Sequence, residues 1–213
     1  MPPVPTPARL AARLGGRLPA RGQRIGLLGG SFNPAHGGHR HVSLEALRRL
    51  RLDAVWWLVS PQNPLKPQAG MAPLAERLAG ARALARHPRL LVTDLEALLG
   101  TRYTADTVRL LTRRLPGRRF VWLMGADNLI QIDRWESWTE IFHALPVAVL
   151  ARPSYSLGAS SAKAAQRFRR YRLPERRAAR LPAEVPPAWA FLHIRLSALS
   201  ATQIRTGRRP PGS

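Results

Sequence analysis

The sequence predicts an α/β fold: one doubly wound parallel sheet, followed by a short helical segment near the C-terminus. Three observations carry this expectation. Apolar runs of strand length alternate with helical patterns of about 10–15 residues, the signature of βαβ units. The strand runs are apolar throughout, as strands covered on both faces must be. Corners bearing glycine, proline and polar side chains follow the strands at their carboxyl ends, where open α/β sheets hold ligands.

The elements follow in order. Ile25–Leu28 is a short apolar run closed by Gly29 and Gly30, and His39–Leu50 continues as an amphipathic helix. Ala54–Ser60, "AVWWLVS", is a buried strand by its β-branched and aromatic content. A proline-rich loop, "PQNPLKPQAGMAP", leads into a helix through "LAERLAGARALAR". Leu90–Glu96 is a third strand, "YTADTVRLLTRRL" a helix, Arg119–Gly125 a fourth strand and "WESWTEIFHAL" a further helix. Pro146–Ala151 and Ala188–Ile194 are the fifth and sixth strands.

One domain is expected over residues 24–208, with 209–213 as a tail and no internal repeat. Between the last two strands lies a basic insertion, Arg152–Pro187, with nine basic residues and two glutamates. It reads as a loop, a basic helix around Ala159–Tyr171 and a solvated connector. Residues 1–23 are rich in Pro, Ala and Arg and lack acidic groups. Prolines at 2, 3, 5 and 7 argue against one continuous helix, so a flexible N-terminal extension is expected.

Composition narrows the function classes. There is no cysteine, which removes disulfides, thiolate nucleophiles and cysteine-based zinc sites. No run approaches the ~20 apolar residues of a membrane helix, so a soluble, cytoplasmic protein without a membrane partner is expected. The formal charge is +22, and all but Lys66 and Lys163 of the 34 basic residues are arginines. A nucleic-acid partner would reward such a charge. The arginines do not interleave with aromatic residues as a stacking platform requires, and a skew toward Arg, Ala and Pro also follows from GC-rich coding. The charge therefore fits phosphorylated small molecules better than a specific nucleic acid.

The chemistry begins at Gly29-Gly30-Ser31-Phe32-Asn33-Pro34-Ala35-His36-Gly37-Gly38-His39. This corner lacks the G-x-G-x-x-G spacing of dinucleotide-binding enzymes, so hydride transfer has no support. A helix starting near Gly38 would aim its N–H groups and positive dipole end at an anion. His36 and His39 could then donate to phosphate oxygens as charge grows in a transition state. Two other readings stand beside this one. Two histidines could begin a metal site, although two ligands make no cage, or they could be ordinary polar loop residues.

The corner resembles the H-x-G-H motif of the nucleotidyltransferase superfamily, embedded here in G-G-x-F-x-P-x-H-x-G-H. The resemblance implies a Rossmann-like nucleotidyltransferase fold and transfer of a nucleotide's α-phosphate to an acceptor phosphate. "LSATQIRTG", Leu199–Gly207, resembles that superfamily's I-S-S-T-x-I-R motif. Ser200 and Gln203 there have capping-box spacing, and Arg205 follows one turn in. Ala201 stands where the family usually has serine. "PQNPLK" resembles the P-x-x-x-P-x-K segment beside the phosphate site and contributes Lys66, and a solvated loop charge is the plainer reading of that lysine.

Two blocks narrow the acceptor. "GTRYTADTV", Gly100–Val108, resembles the S-Y-T-x-D-T-L block of nicotinate-nucleotide adenylyltransferases, in which the threonine matching Thr104 helps hold a pyridine carboxylate. Thr104 also reads as a plain helix N-cap with Asp106 in the first turn. "LMGADNLIQIDRWESW", Leu123–Trp138, resembles the family's G-x-D-x-L block followed by a tryptophan. Trp135 would stack on the pyridine, whereas Trp138 reads as a core residue. The resemblance runs from Arg24 to Gly207, about four-fifths of the chain.

By this resemblance the chain would join ATP to nicotinate mononucleotide, giving deamido-NAD and pyrophosphate. Catalysis is expected from His36, His39, Lys66 and Arg205, with no covalent intermediate. ATP would meet Gly29, Gly30, Ser31, Phe32, His36, His39, Gly125, Asp127, Ser200, Thr202 and Arg205. Nicotinate mononucleotide would meet Ser31, Lys66, Tyr103, Thr104 and Trp135. Mg²⁺ would arrive on the ATP phosphates rather than in a protein site. Nicotinamide mononucleotide, phosphopantetheine or an alcohol phosphate are the alternative acceptors, and a homo-oligomer stays open. From another class comes a nucleic-acid-binding protein on a nucleotide-binding fold, using Arg152–Pro187.

Overall fold

A computed structural model describes residues 5–16, 18–61, 70–151 and 156–194. In chain order these form α1 (Pro7–Arg13), β1 (Arg24–Gly30), α2 (Gly37–Arg49), β2 (Ala54–Val59), α3 (Leu74–Leu84) and β3 (Leu90–Thr93). Next come α4 (Leu95–Leu99), α5 (Thr104–Arg114), β4 (Arg119–Gly125), α6 (Ala126–Gln131), α7 (Trp138–Ala144) and β5 (Val147–Leu150). The described chain closes with α8 (Ser156–Ser161), α9 (Lys163–Arg167), β6 (Arg172–Leu173) and β7 (Trp189–Leu192).

The seven described strands form one sheet in the order β3-β2-β1-β4-β5-β7-β6, with every pairing parallel. This is the doubly wound α/β architecture the sequence predicts. Winding runs outward from β1 in one direction to β3 and in the other through β4, so the order reverses between β1 and β4. Open sheets of this type bind ligands outside the carboxyl ends at such a reversal.

Strand alternation divides the core into two layers. Leu27, Trp56, Trp122 and Val149 point to the face covered by α5 and α7, with Leu111, Ile141 and Phe142 packed against them. Leu28, Trp57, Leu123 and Leu150 point to the opposite face, against Val42, Ala46 and Leu47 of α2 and Leu78 and Ala81 of α3. Burying a large apolar side chain contributes roughly 1.5–3 kcal/mol. Both layers together explain why these strands show no polar alternation.

Four expectations need correction. Residues 7–13, expected within a flexible extension, form α1. Thr6 caps it and Pro7 occupies its first turn, where a missing N–H costs nothing. Leu10 and Leu14 are buried in the first core layer, and Arg118 donates to the Pro19 carbonyl. The run Leu90–Glu96 is not all strand: β3 ends at Thr93, and Glu96 lies on α4.

The helix expected through "WESWTEIFHAL" begins only at Trp138, after a 3-10 turn over Ile132–Arg134. Finally, in the basic insertion the helix expected around Ala159–Tyr171 is present as the two short helices α8 and α9, but the stretch after it is not a solvated connector. Ala159, Ala164, Ala165 and Phe168 enter one core layer, and Ala178 and Leu181, on a 3-10 segment over Glu175–Ala183, enter the other. The two-residue strand β6, absent from the sequence reading, lies within it.

Candidate active site

β1 delivers the glycine corner to the reversal point. Leu28 pairs with Leu123, so Gly30 and Gly125, each two residues further on, end neighbouring strands at the same level. Gly29 owes its identity to packing. A Cβ there would meet the Trp122 ring at 2.5 Å, whereas one at Gly30 would meet the Phe32 ring at 3.4 Å.

After Gly30 the chain turns through Ser31 and Phe32. Phe32 has a left-handed φ of 47°, costly for a residue with a Cβ. Its buried ring holds that turn in place, stacking on Trp57 at 5.1 Å and meeting the His39 ring at 4.7 Å. Phe32 therefore lies beneath the corner and supports it.

His36 and His39 are joined in a reciprocal cap at the start of α2. His36 is the N-cap, with extended φ and ψ of −148° and 167°. Its Nδ1 accepts from the Gly38 backbone N–H at 3.2 Å, and His39 Nδ1 accepts from the His36 backbone N–H at 3.2 Å. The ring centroids lie 3.9 Å apart. A neutral imidazole that accepts at Nδ1 carries its proton on Nε2. Both histidines are thus set, by the backbone alone, as Nε2–H donors at the N-terminus of a thirteen-residue helix. His36 is buried, at 4% exposure.

A buried relay fixes His39 from below. Ser43 Oγ donates to the His39 carbonyl at 2.8 Å and accepts from Trp57 Nε1 at 2.7 Å. Neither Ser43 nor Trp57 is recognisable from spacing as part of a site. Asn33 ties the corner sideways, donating from Nδ2 to the Gly70 carbonyl and accepting at Oδ1 from the Ala72 N–H.

Arg77 of α3 ends in the same region. Its guanidinium is buried and donates to the carbonyls of Ala72, Ser31, Ser60 and Pro61 at 2.7–3.0 Å. Burial lowers its pKa from the usual arginine value. On the other side of the β2 terminus, the Ser60 hydroxyl donates to the Glu96 carboxyl, yet burial pushes that carboxyl up to about 7.

The second group of site residues borders the first core layer. Tyr103, not Thr104, is the N-cap of α5; it provides no side-chain cap, and Thr104 is the first helical residue. Thr107, buried, closes this turn by donating to the Tyr103 carbonyl, and its Oγ1 lies 2.7 Å from that of Thr101. Asp127 follows Gly125 in the first turn of α6, at the β4 terminus. Trp135 is partly buried against the first core layer, between the 3-10 turn and α7. Trp138 meets Phe142 and Phe168 edge-on and, like Trp135, is partly buried against the first core layer rather than inside it.

Lys66, Ser200, Ala201, Thr202 and Arg205 lie outside the described residues. Among the described residues no group of three His, Asp or Glu side chains could hold a metal ion, and no helix is long and apolar enough to cross a membrane.

The chain is similar to known proteins over most of its length. The cytidylyltransferase-like family matches residues 27–207. A Methylorubrum extorquens protein named "Probable nicotinate-nucleotide adenylyltransferase" is 60% identical over 183 residues, covering 86% of this chain and 99% of its own length. A Cereibacter sphaeroides protein of the same name is 58% identical, covering 86% and 97%. Among solved structures, Plasmodium falciparum nicotinic acid mononucleotide adenylyltransferase complexed with NaAD has the same fold. It matches with a TM-score of 0.66 at 15% identity, covering 86% of this chain and 83% of that one.

Proposed function

The chain belongs to the nicotinate-nucleotide adenylyltransferase family and transfers the adenylyl group of ATP to nicotinate mononucleotide; we propose that the His36–His39 corner catalyses that transfer. The products are deamido-NAD and pyrophosphate, a step of NAD biosynthesis. The observation that carries the assignment of the corner is its reciprocal cap, which orients two Nε2–H donors at the positive end of α2.

In the reaction a 5′-phosphate oxygen of nicotinate mononucleotide attacks the α-phosphorus of ATP in line. A new P–O bond forms as the bond from that phosphorus to the bridging oxygen breaks, and pyrophosphate leaves with the bonding electrons. Such transfers gain chiefly from positioning and charge stabilisation, so no nucleophilic side chain is required. His36 and His39 donate to the phosphate oxygens as their charge rises, and the N-terminus of α2 adds its dipole. Lys66, Arg205, Ser200 and Thr202 are assigned to the phosphates by their motifs alone, since all four lie outside the described residues.

ATP enters with a divalent cation, which we take to be Mg²⁺ bound to its polyphosphate as part of the substrate. The corner's donor set suits this role: its imidazoles are arranged to donate to phosphate, with each Nδ1 engaged by backbone. Gly125 and Asp127 face the adenosine side of the crevice. Tyr103, Thr104 and Trp135 serve the pyridine, with the α5 N-terminus offering backbone N–H to a carboxylate and the indole face suiting an electron-poor ring. A cytoplasmic location fits a cysteine-free enzyme that consumes ATP.

The test supplies purified protein with Mg²⁺-ATP and either nicotinate or nicotinamide mononucleotide, following dinucleotide product and pyrophosphate together. Fast formation of deamido-NAD with the acid and slow reaction with the amide is expected. Preference for the amide would overturn the reading of the pyridine pocket, and no product from either acceptor would overturn the function.

A further inference from the structure

Arg77 is the one buried guanidinium in the described structure, at 4% exposure, and no carboxylate accompanies it in a described ion pair. Burying a cation in this way is costly unless its donors are satisfied. Among the described residues its partners are carbonyl oxygens: Nε donates to Ala72 at 2.9 Å, one terminal nitrogen to both Ser31 and Ser60 at 2.7 Å, and the other to Pro61 at 3.0 Å. Those four carbonyls belong to three chain segments. Ser31 follows β1 and opens the histidine corner; Ser60 and Pro61 leave β2; Ala72 precedes α3.

Asn33 repeats the pattern two residues further along the corner, bonding Gly70 and Ala72. The corner is therefore tied to the segment before α3 through both residues and to the exit of β2 through Arg77. Nothing about these ties is needed to close the core, because Leu78 and Ala81 already bury the same helix against the sheet. They act where the glycine corner leaves the rigid strand.

We propose that Arg77 is a positioning residue for adenylyl transfer: its four-carbonyl clasp sets the Ser31–His36 corner against the β2 terminus, and thereby where His36 and His39 present their Nε2–H donors. This rests on the function proposed above. A planar fork of five N–H donors can bridge three segments at once, whereas an ammonium is a point donor on a flexible stem. Lysine is thus a poor substitute despite its charge.

The test is a double-mutant cycle on pyrophosphate release with ATP and nicotinate mononucleotide, using Arg77→Met and His39→Ala, singly and together. Misplacing reacting groups by about 1 Å can cost roughly 10²-fold in rate, so Arg77→Met is expected to lower kcat about 10–100-fold with KM for nicotinate mononucleotide changed much less. In the His39→Ala background the same change should cost several-fold less than in the parent, because one of the two donors it positions is gone. Arg77→Lys, read against its melting temperature, should recover little of the loss. Ethylguanidinium added to Arg77→Ala should restore part of it.

An equal loss in both backgrounds would overturn the proposal, as would Arg77→Met or a folded Arg77→Lys with near-parental kcat. If Arg77→Met does not fold, the cycle is run with Arg77→Lys and the same criterion holds. Failure of the unmodified chain to release pyrophosphate with nicotinate mononucleotide would instead contradict the function, and it is read separately.

Discussion

His36 and His39 hold each other's orientation: the His36 N–H donates to His39 Nδ1 at 3.2 Å, while the His36 ring caps Gly38 at the same distance. The backbone thus fills the inner nitrogen of each ring and leaves the proton on the outer one. A helix cap, worth about 0.5–2 kcal/mol to stability, doubles here as the device that selects a tautomer.

That dual use makes stability and catalysis separable. Asparagine caps helices well but has nothing at the position of Nε2. His36→Asn should unfold within about 1 kcal/mol of the parent in urea, while kcat falls by about 10²–10³-fold. A variant that lost both in proportion would mean that His36 serves the fold alone.

Gly29 is predicted to matter first through packing. A methyl group would sit 2.5 Å from the Trp122 ring, which is itself buried between strands and helices. Gly29→Ala should cost about 1–3 kcal/mol in equilibrium unfolding, as overpacking generally does. Gly30→Ala, with its nearest contact at 3.4 Å, should cost less. Equal stability of Gly29→Ala and the parent would refute this account of the first glycine.

Glu96 gives the fold a pH dependence near neutrality. Burial raises its carboxyl from 4.5 to about 7 against the opposing hydrogen bond from Ser60. The folded chain therefore keeps a proton that the unfolded chain releases. The associated stability is fully present below about pH 4.5 and is lost as pH rises through 7, a change of about 3 kcal/mol. Glu96→Gln mimics the protonated acid. It should flatten urea stability between pH 5 and 8 and be the more stable protein at pH 8. Parallel pH profiles for the two proteins would count against a buried ionising Glu96.

Much of this architecture is legible in the sequence because its signals are local. Arg119–Gly125 is apolar enough to mark β4 to the residue, and Gly29 to His39 announces a corner between strand and helix. The misreadings come from interactions that no local pattern carries. Prolines near the N-terminus suggest a flexible arm, yet Pro7 begins a helix whose Leu10 finds a place in the core. Asp94 ends β3 early, and its carboxylate takes an ion pair from Arg13 of α1. The insertion looks solvated because its arginines outnumber its alanines in any hydropathy sum, while Ala164, Ala178 and Leu181 do the packing.

The site divides the same way. His36 and His39 stand out by spacing, but Ser43, Trp57 and Arg77 act through contacts between segments far apart in sequence. Arg77, one arginine among many in an arginine-rich chain, carries no mark of its role until its four carbonyl partners converge.

The most direct test of the account is kcat for pyrophosphate release by His39→Ala, at saturating Mg²⁺-ATP and nicotinate mononucleotide. Losing a donor aimed at developing charge should lower kcat by at least about 10²-fold. Near-parental turnover would contradict the claim that the reciprocally capped histidines carry the chemistry.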